Sequence, residues 1–231
     1  MSLVQTIEEL EYPDSDGKPM GETDVHIDWM IRLRDILRHR YQGQQVYVGA
    51  NMLVYYVEGK PSNYIVPDDF VVKDCDPRRR RTFKIWEEGR VPNVVFEITS
   101  YGSRREDRVH KPQIYASIGV QEYFLYDPTD EYLEPPLRGF RLEGGEYLPI
   151  EPDKSGSLRS DELGVLLRLV DGELVMIDSK SGKVLMTRAE AAEAARDAAQ
   201  AARDAAQARA AELESELEQL RKKRKHKPKK S

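Results

Sequence analysis

The chain has 231 residues and a formal net charge of −5, with 33% charged and 39% hydrophobic residues. This composition is typical of a soluble globular protein, and the length suffices for one full domain and an appendage. No apolar run approaches the roughly 18 residues of a transmembrane helix, and the first residues lack the basic and apolar regions of a secretory signal. The single cysteine, Cys75, excludes an internal disulfide and fits a reducing compartment, so we expect a cytoplasmic protein without a membrane partner.

Charge is distributed unevenly along the chain. The last eleven residues, RKKRKHKPKKS, carry eight Lys or Arg residues and no acid, which leaves the rest of the chain with a formal charge of −13. Such asymmetry often marks an interaction tail. The four histidines have no zinc-ligand spacing and no second cysteine to help them, which excludes a structural zinc site.

The first predicted helix spans about residues 22–40, ETDVHIDWMIRLRDILRHR. Its apolar residues recur at helical spacing and share one face, which comprises Trp29, Met30, Leu33, Ile36 and Leu37. Acids at the beginning and bases at the end suit the helix dipole.

Short apolar, β-branched runs predict the strands that follow. QQVYVGANMLVYYVEG indicates two strands or one bent strand, NYIVPDDFVV one further strand, and NVVFEITS another. A short helix that ends at Gly119 precedes the buried strand VQEYFLYDP. The later segments contain hairpin turns at Gly144-Gly145 and Asp171-Gly172, and we expect them to extend the sheet antiparallel.

From about residue 187 the composition changes to that of one long helix. The motif AARDAAQ occurs twice in tandem, and a seam with coiled-coil spacing follows at Ala206, Ala210, Leu213, Leu217 and Leu220. One interpretation is a solvated, alanine-stabilised single helix, and the other is a partner-binding coiled coil or a weak homodimer. We therefore predict a folded domain at residues 1–186, an alanine-rich helix at 187–225 and a basic disordered tail at 226–231.

Acidic residues occur in two strands that otherwise look buried. Asp68 and Asp69 follow Pro67 at the beginning of one run, and Glu97 lies within the other. A buried lone carboxylate is costly, and two acids on neighbouring strands repel each other unless a positive charge lies between them. Mg²⁺ prefers oxygen ligands and is often held by one or two carboxylates, so a metal site is one interpretation. The alternative is that the aspartates merely begin a strand and that Glu97 pairs with an arginine.

Four blocks of the sequence carry a resemblance to a known family: YPDSDGKPM, PDDFVV, WEEGRVPNVVFEITS and DRVHKPQIYASIGVQEYFLYDP. In their order and spacing, over about residues 10–190, the chain resembles the Uma family of bacterial restriction endonucleases within the PD-(D/E)XK superfamily. The resemblance implies an α/β (α+β) restriction-endonuclease-like fold with a mixed central sheet flanked by helices, here followed by a long C-terminal helix. It also implies hydrolysis of DNA phosphodiester bonds with Mg²⁺ or Mn²⁺ as the cofactor.

The resemblance also assigns the site residues. Asp68 and Glu97 correspond to the two metal-binding catalytic acids. Many nucleases of this type have a lysine two residues after the second acid, and this chain has Thr99 there. Lys111 matches a lysine in the following helix, and we expect it to supply the missing positive charge as the third catalytic residue.

Two of these residues have simpler interpretations. Lys111 precedes Pro112 and therefore lies at a helix break or a helix start, where it could also be a surface lysine that pairs with Asp107. Glu22 matches an acid on the first helix that approaches the metal in many nucleases, but an acid in a first helical turn is favoured by the helix dipole alone.

Two basic stretches could contact nucleic acid. The loop between the acid-bearing strands contains Arg78, Arg79, Arg80 and Arg81, which suit phosphate contacts, although neighbouring acids also fit a solvated charge run. The tail after residue 220 suits sequence-independent binding of anions. Two hypotheses follow: a metal-dependent endonuclease that acts on DNA, or an inactive nuclease-fold scaffold that binds a partner or nucleic acid through its C-terminal helix and tail.

Overall fold

A six-stranded mixed sheet organises the first of the two compact units into which the chain divides, residues 1–187 and 188–231. The computed structural model describes residues 11–17, 23–100, 102 and 110–225. Its strands are β1 (Val46–Ala50), β2 (Val54–Tyr55), β3 (Tyr64–Ile65), β4 (Asp69–Lys73), β5 (Phe83–Lys84), β6 (Val94–Ile98), β7 (Glu122–Tyr126), β8 (Leu137–Glu143), β9 (Glu146–Pro149), β10 (Leu158–Ser160), β11 (Val165–Val170) and β12 (Glu173–Asp178). Its helices are α1 (Asp24–Arg40), α2 (Ile85–Glu88), α3 (Lys111–Ile118) and α4 (Arg188–Lys225).

The central sheet has the strand order β1-β4-β6-β7-β8-β9. Strands β6 and β7 run parallel, and the other neighbouring pairs are antiparallel. A parallel pair needs a long crossover, and α3 lies in the connection between these two strands. The predicted mixed sheet flanked by helices is therefore confirmed.

Each face of this sheet buries its own apolar core. One core combines α1 with strand residues of the central sheet and of the β10-β11-β12 sheet, and includes Leu33, Leu37, Val71, Phe96, Phe124, Val165 and Leu167. The other combines the opposite strand face with α3 and the small β3-β2-β5 sheet, and includes Val54, Phe70, Phe83, Val95, Tyr115 and Tyr123. Successive side chains of a strand point to opposite faces, so neighbouring residues of β4 and β6 serve different cores.

Two of the expected strand assignments were wrong. The segment NYIVPDDFVV forms two strands in different sheets, because the chain is interrupted at Pro67, which has no N–H for a strand ladder. The carbonyls of Pro67 and Asp68 instead accept hydrogen bonds from the Asn51 N–H. The later hairpins also do not all join the central sheet as expected. Strands β8 and β9 extend it antiparallel, whereas β10, β11 and β12 form a sheet of their own. The residues of that sheet pack in the core that includes α1, which covers apolar surface that would otherwise face water.

The second unit consists largely of α4, a single helix of 38 residues. Its seam residues Leu213 and Leu217 are exposed, whereas Leu220 has a side chain outside the described part. The predicted tail at residues 226–231 also lies outside the described residues. Among the helices that the structure describes, none is long and apolar enough to cross a membrane.

Candidate active site

The register between β4 and β6 brings the two predicted acids together. Asp69 pairs with Phe96 in this antiparallel ladder, so Asp68 lies opposite Glu97 at the end of β4. Residues directly opposite each other share a sheet face. The Asp68 N–H lies 3.4 Å from Glu97 Oε2, at the limit of a hydrogen bond. The two acids therefore occupy one location on the side of the sheet that α3 covers.

Glu97 is fully buried and receives two side-chain hydrogen bonds from α3. Lys111 Nζ donates to Glu97 Oε2 over 2.8 Å, and the Tyr115 hydroxyl donates to Glu97 Oε1. Lys111 is the first residue of α3, and Pro112 fits the first helical turn, where its missing N–H costs nothing. Tyr115 follows Lys111 by four residues and so lies on the same helix face. The structure thus places Lys111 beside Glu97, at the start of a helix.

Asp68 is held by groups from two other elements. His26, in the first turn of α1, places Nε2 at 3.2 Å from Asp68 Oδ1, and the Ile98 N–H donates to Asp68 Oδ2 over 2.7 Å. Burial alone raises the pKa of the Asp68 carboxyl, but the His26 hydrogen bond, the nearby Lys111 charge and the Ile98 N–H outweigh it. The pKa of Asp68 therefore lies below its usual value, and the carboxylate is ionised at neutral pH.

The protonation state of Tyr115 is also fixed by its surroundings. Burial first, and then the negative charge of Glu97, raise the pKa of the Tyr115 hydroxyl well above its usual value. The hydroxyl therefore keeps its proton at physiological pH and acts as a hydrogen-bond donor that orients the Glu97 carboxylate.

Asp69 has a different environment from its neighbour Asp68. It is fully buried on the opposite sheet face, and neither of its carboxyl oxygens has a hydrogen-bond partner among the described residues. Burial first, then the charges of Asp68 and Glu97, raise its pKa well above the usual value, against the opposing effect of Arg34 and Arg38. Asp69 is therefore no part of the candidate site.

The donor set of the site suits a hard divalent cation. Asp68 and Glu97 together offer carboxylate oxygens, which Mg²⁺ prefers, and Mg²⁺ usually keeps several waters beside one or two carboxylates. Thr99 follows Glu97 on the same side of the strand, and its buried hydroxyl has no hydrogen-bond partner among the residues described. In the described part of the chain, no group of three or more His, Cys, Asp and Glu side chains is arranged to hold a metal ion. A cation here would depend on the two carboxylates and on water.

The four consecutive arginines have distinct environments. Arg80 is nearly buried, forms a double hydrogen bond with Glu88 and lies over the Tyr47 ring, which makes it part of the local packing. Arg78 also bonds Glu88, and Arg81 pairs with Asp14 in the N-terminal segment. Arg79 has no such partner within the described residues and lines a cleft, which separates it from its three neighbours.

Two residues of the site were missed from the sequence. His26 looked like an ordinary member of the first helix, because only the fold brings that helix turn to Asp68. The sequence did contain a signal for Tyr115, because its spacing of four residues from Lys111 places both on one face of a helix. The alternative partner Asp107 and the candidate Glu22 lie outside the described residues.

Comparisons with known proteins place the chain in a family. A family model described as "Uma2: Putative restriction endonuclease" matches residues 7–170. Among solved structures, one similar chain is a "putative nuclease belonging to DUF820" from Anabaena variabilis, with a TM-score of 0.46 and 16% identity over 73% of this chain and 81% of that one. None of the curated proteins matches. Because the family match extends over more than half of the chain, the chain belongs to the Uma2 family.

Proposed function

We propose that the protein is an endonuclease that hydrolyses DNA phosphodiester bonds with Mg²⁺ or Mn²⁺ at Asp68, Glu97 and Lys111. The observation that supports this most strongly is the meeting of three elements at Glu97. The acid on β6 lies opposite Asp68 of the β4 segment and within 2.8 Å of the Lys111 ammonium group. Two acids and a lysine at one sheet end, in a chain of this family, suit phosphoryl chemistry better than a structural ion pair.

Asp68 and Glu97 are the residues that would hold the metal. A bound divalent cation supplies a more acidic water and neutralises charge on the phosphoryl group. The low pKa of Asp68 keeps that carboxylate available as a ligand at neutral pH.

The chain's own residues contribute position and charge. Lys111 carries an ammonium group at the site and can donate a hydrogen bond to a phosphate oxygen once it turns away from Glu97. Tyr115 and His26 fix the orientations of Glu97 and Asp68, respectively, through the hydrogen bonds described above. Such preorganisation places the acids before a substrate arrives.

The proposal is tested by cleavage of plasmid DNA with Mg²⁺, with Mn²⁺ and with EDTA. We expect cleavage to need a divalent cation and to fall by about 10²–10³-fold or more in Asp68→Asn and in Glu97→Gln, because each change removes a ligand charge. Asp69→Asn is the matched control, since it alters the adjacent carboxyl on the opposite sheet face and should retain activity. Circular dichroism checks that each variant folds. Undiminished cleavage by a folded Asp68→Asn or Glu97→Gln protein would rule out this site.

A second candidate function is a nuclease-fold scaffold that binds nucleic acid or a partner without cleavage. Thr99 at the usual lysine position favours it, as do the hydrogen bonds that hold both oxygens of Glu97. In that case the wild-type protein binds DNA but leaves plasmid intact with either cation, and binding depends on residues after Thr187 rather than on Asp68.

A further inference from the structure

A polar cleft lies beside the C-terminal end of α1. It has a volume of about 260 Å³ and is lined by the end of the helix, the following turn, β1 and the arginine loop. The polar residues at its wall are Arg38, Tyr41, Gln42, Gln44 and Arg79. Arg38 donates from both Nε and Nη2 to the Val48 carbonyl, so its guanidinium is held against the β1 backbone.

Three arginines lie at or beside this cleft. Arg34 precedes Arg38 by one helical turn on the same helix face, and Arg79 lies on the cleft wall. Burial first, and then the charges of Arg34 and Arg79, lower the pKa of Arg38, against the opposing effects of Tyr47 and Asp69, so both of the other arginines repel Arg38. Within the described residues none of the three forms an ion pair. Other arginines of this unit do, as Arg40 does with Asp178.

One buried acid acts on this cluster but forms no hydrogen bond with it. Asp69 acts on both Arg34 and Arg38 electrostatically, but its buried carboxyl oxygens hydrogen-bond to neither. Guanidinium groups that crowd together without acids lose stability unless an anion joins them, and phosphate oxygens match their planar donor geometry. The cleft therefore has the chemistry of a phosphate-binding site.

We propose that Arg34, Arg38 and Arg79 bind backbone phosphates of a nucleic acid strand. A strand is favoured over a free phosphate because the cleft and the candidate active site lie along one helix. His26 marks the active-site end of α1, and Arg34 and Arg38 follow it by eight and twelve residues, or about 12 and 18 Å along the axis. Each DNA strand carries a phosphate every 3.4 Å or so, which places the cleft about four or five nucleotides from the active site. That distance rests on the proposed function, whereas phosphate binding does not.

The test measures the affinity of the full-length chain for fluorescein-labelled duplex DNA in EDTA, where no metal-dependent cleavage occurs. Loss of one phosphate contact lowers the slope of log affinity against log salt by about 0.9, which corresponds to roughly eightfold weaker binding at 0.1 M salt. We expect this loss for Arg79→Gln and for Arg38→Gln. The matched control is Arg81→Gln, which removes the same charge two residues away but from a pair with Asp14, and it should change the affinity less than about twofold.

The outcome is separable from that of the proposed function. If the wild-type chain never cleaves DNA, a selective loss of binding in Arg79→Gln and Arg38→Gln still supports the cleft. Equal effects of Arg79→Gln and Arg81→Gln, or no effect of Arg79→Gln and Arg38→Gln, would overturn it. Binding of inorganic phosphate that Arg79→Gln and Arg38→Gln both abolish, together with unchanged DNA affinity in both variants, would show that the cleft binds a small phosphate and not a strand.

Discussion

Two charged regions of the first unit differ in how their charges are compensated. At the candidate active site the charged side chains have hydrogen-bond partners. Glu97 accepts from Lys111 and Tyr115, and Asp68 bonds His26. At and beside the cleft near the end of α1, Arg34, Arg38 and Arg79 form no ion pair among the described residues, and both Arg34 and Arg79 repel Arg38. The difference indicates which kind of ligand each region would bind. In the two proposals above, the first region would exchange the lysine contact for a cation and a phosphate, and the second would bind an anion.

The largest effect is expected from removing the positive charge beside Glu97. Lys111→Met removes the ammonium group that pairs with the fully buried Glu97 carboxylate, and breaking one partner of a buried ion pair costs about 3–5 kcal/mol. Urea denaturation measures this loss in the free energy of unfolding.

Two further variants show whether that loss comes from the pair. The double variant Lys111→Met/Glu97→Gln should recover most of it, because no unpaired charge remains. Arg79→Gln in the cleft removes one of several repelling charges and should stay within about 0.5 kcal/mol of the wild type. If Lys111→Met lowered the free energy of unfolding as little as Arg79→Gln does, the distinction between the two regions would be contradicted.

A smaller effect is expected for the hydroxyl that orients Glu97. Tyr115→Phe removes a hydrogen bond to a charged group and should destabilise the chain by about 1.5–3 kcal/mol. Tyr147→Phe is the matched control, since its hydroxyl donates to the neutral Val120 carbonyl and its loss should cost about 1 kcal/mol. Thermal or urea unfolding of both variants compares them, and a Tyr115→Phe loss below that of Tyr147→Phe would contradict a charged Glu97.

Replacing the buried Asp69 side chain should preserve or raise the stability of the chain. Replacing an unpaired buried polar group by an apolar one of similar size is neutral or stabilising, so Asp69→Val should be about as stable as the wild type or up to about 1 kcal/mol more stable. The pKa of Asp69 is raised on folding, so the folded state binds its proton more tightly. Wild-type stability relative to Asp69→Val should therefore fall as pH rises above about 4, the unfolded value, and through the folded pKa. A relative gain in wild-type stability over that range would contradict the raised pKa.

The smallest effect on folding is expected from removing the second unit. We expect a chain that ends at Arg188 to fold with nearly unchanged stability, because the sheets carry their own cores and α4 is largely exposed.

The truncated chain should bind DNA more weakly than the full chain at low salt, and the difference should fade steeply as salt rises. Self-association of the full chain through Leu213 and Leu217 should be weak and depend on concentration, as sedimentation would show. Equal DNA affinities at low salt would leave the tail no role in binding, and a truncated chain that fails to fold would contradict the boundary.

Local patterns predicted the elements of the fold better than their association. The apolar period predicted over about residues 22–40 and the buried runs of β6 and β7 depend on neighbours in sequence, and the structure confirms the helix, at Asp24–Arg40, and both strands. The division of NYIVPDDFVV and the separate β10-β11-β12 sheet depend on which core covers which strand, and no local pattern contains that information.

The same limit applies to the candidate site. Asp68, Glu97 and Lys111 were found through their motif blocks, and the structure brings them together. His26, Arg34 and Arg38 were missed, because α1 meets β1 and β4 only in the folded chain. A basic run alone could not distinguish Arg79 from Arg80, since only the structure shows Glu88 bound to Arg80.

The central claim is that Asp68 and Glu97 together bind a divalent cation. Titration of the full-length protein with Mn²⁺, followed by electron paramagnetic resonance of the free ion, tests it without any need for substrate or activity. We expect one Mn²⁺ site in the wild type, loss of that site in Asp68→Asn and in Glu97→Gln, and its retention in Asp69→Asn. Lys111→Met should bind Mn²⁺ more tightly than the wild type, because the ammonium group no longer competes for Glu97. Equal Mn²⁺ binding by the wild type and both site variants, or none by any of them, would contradict the claim.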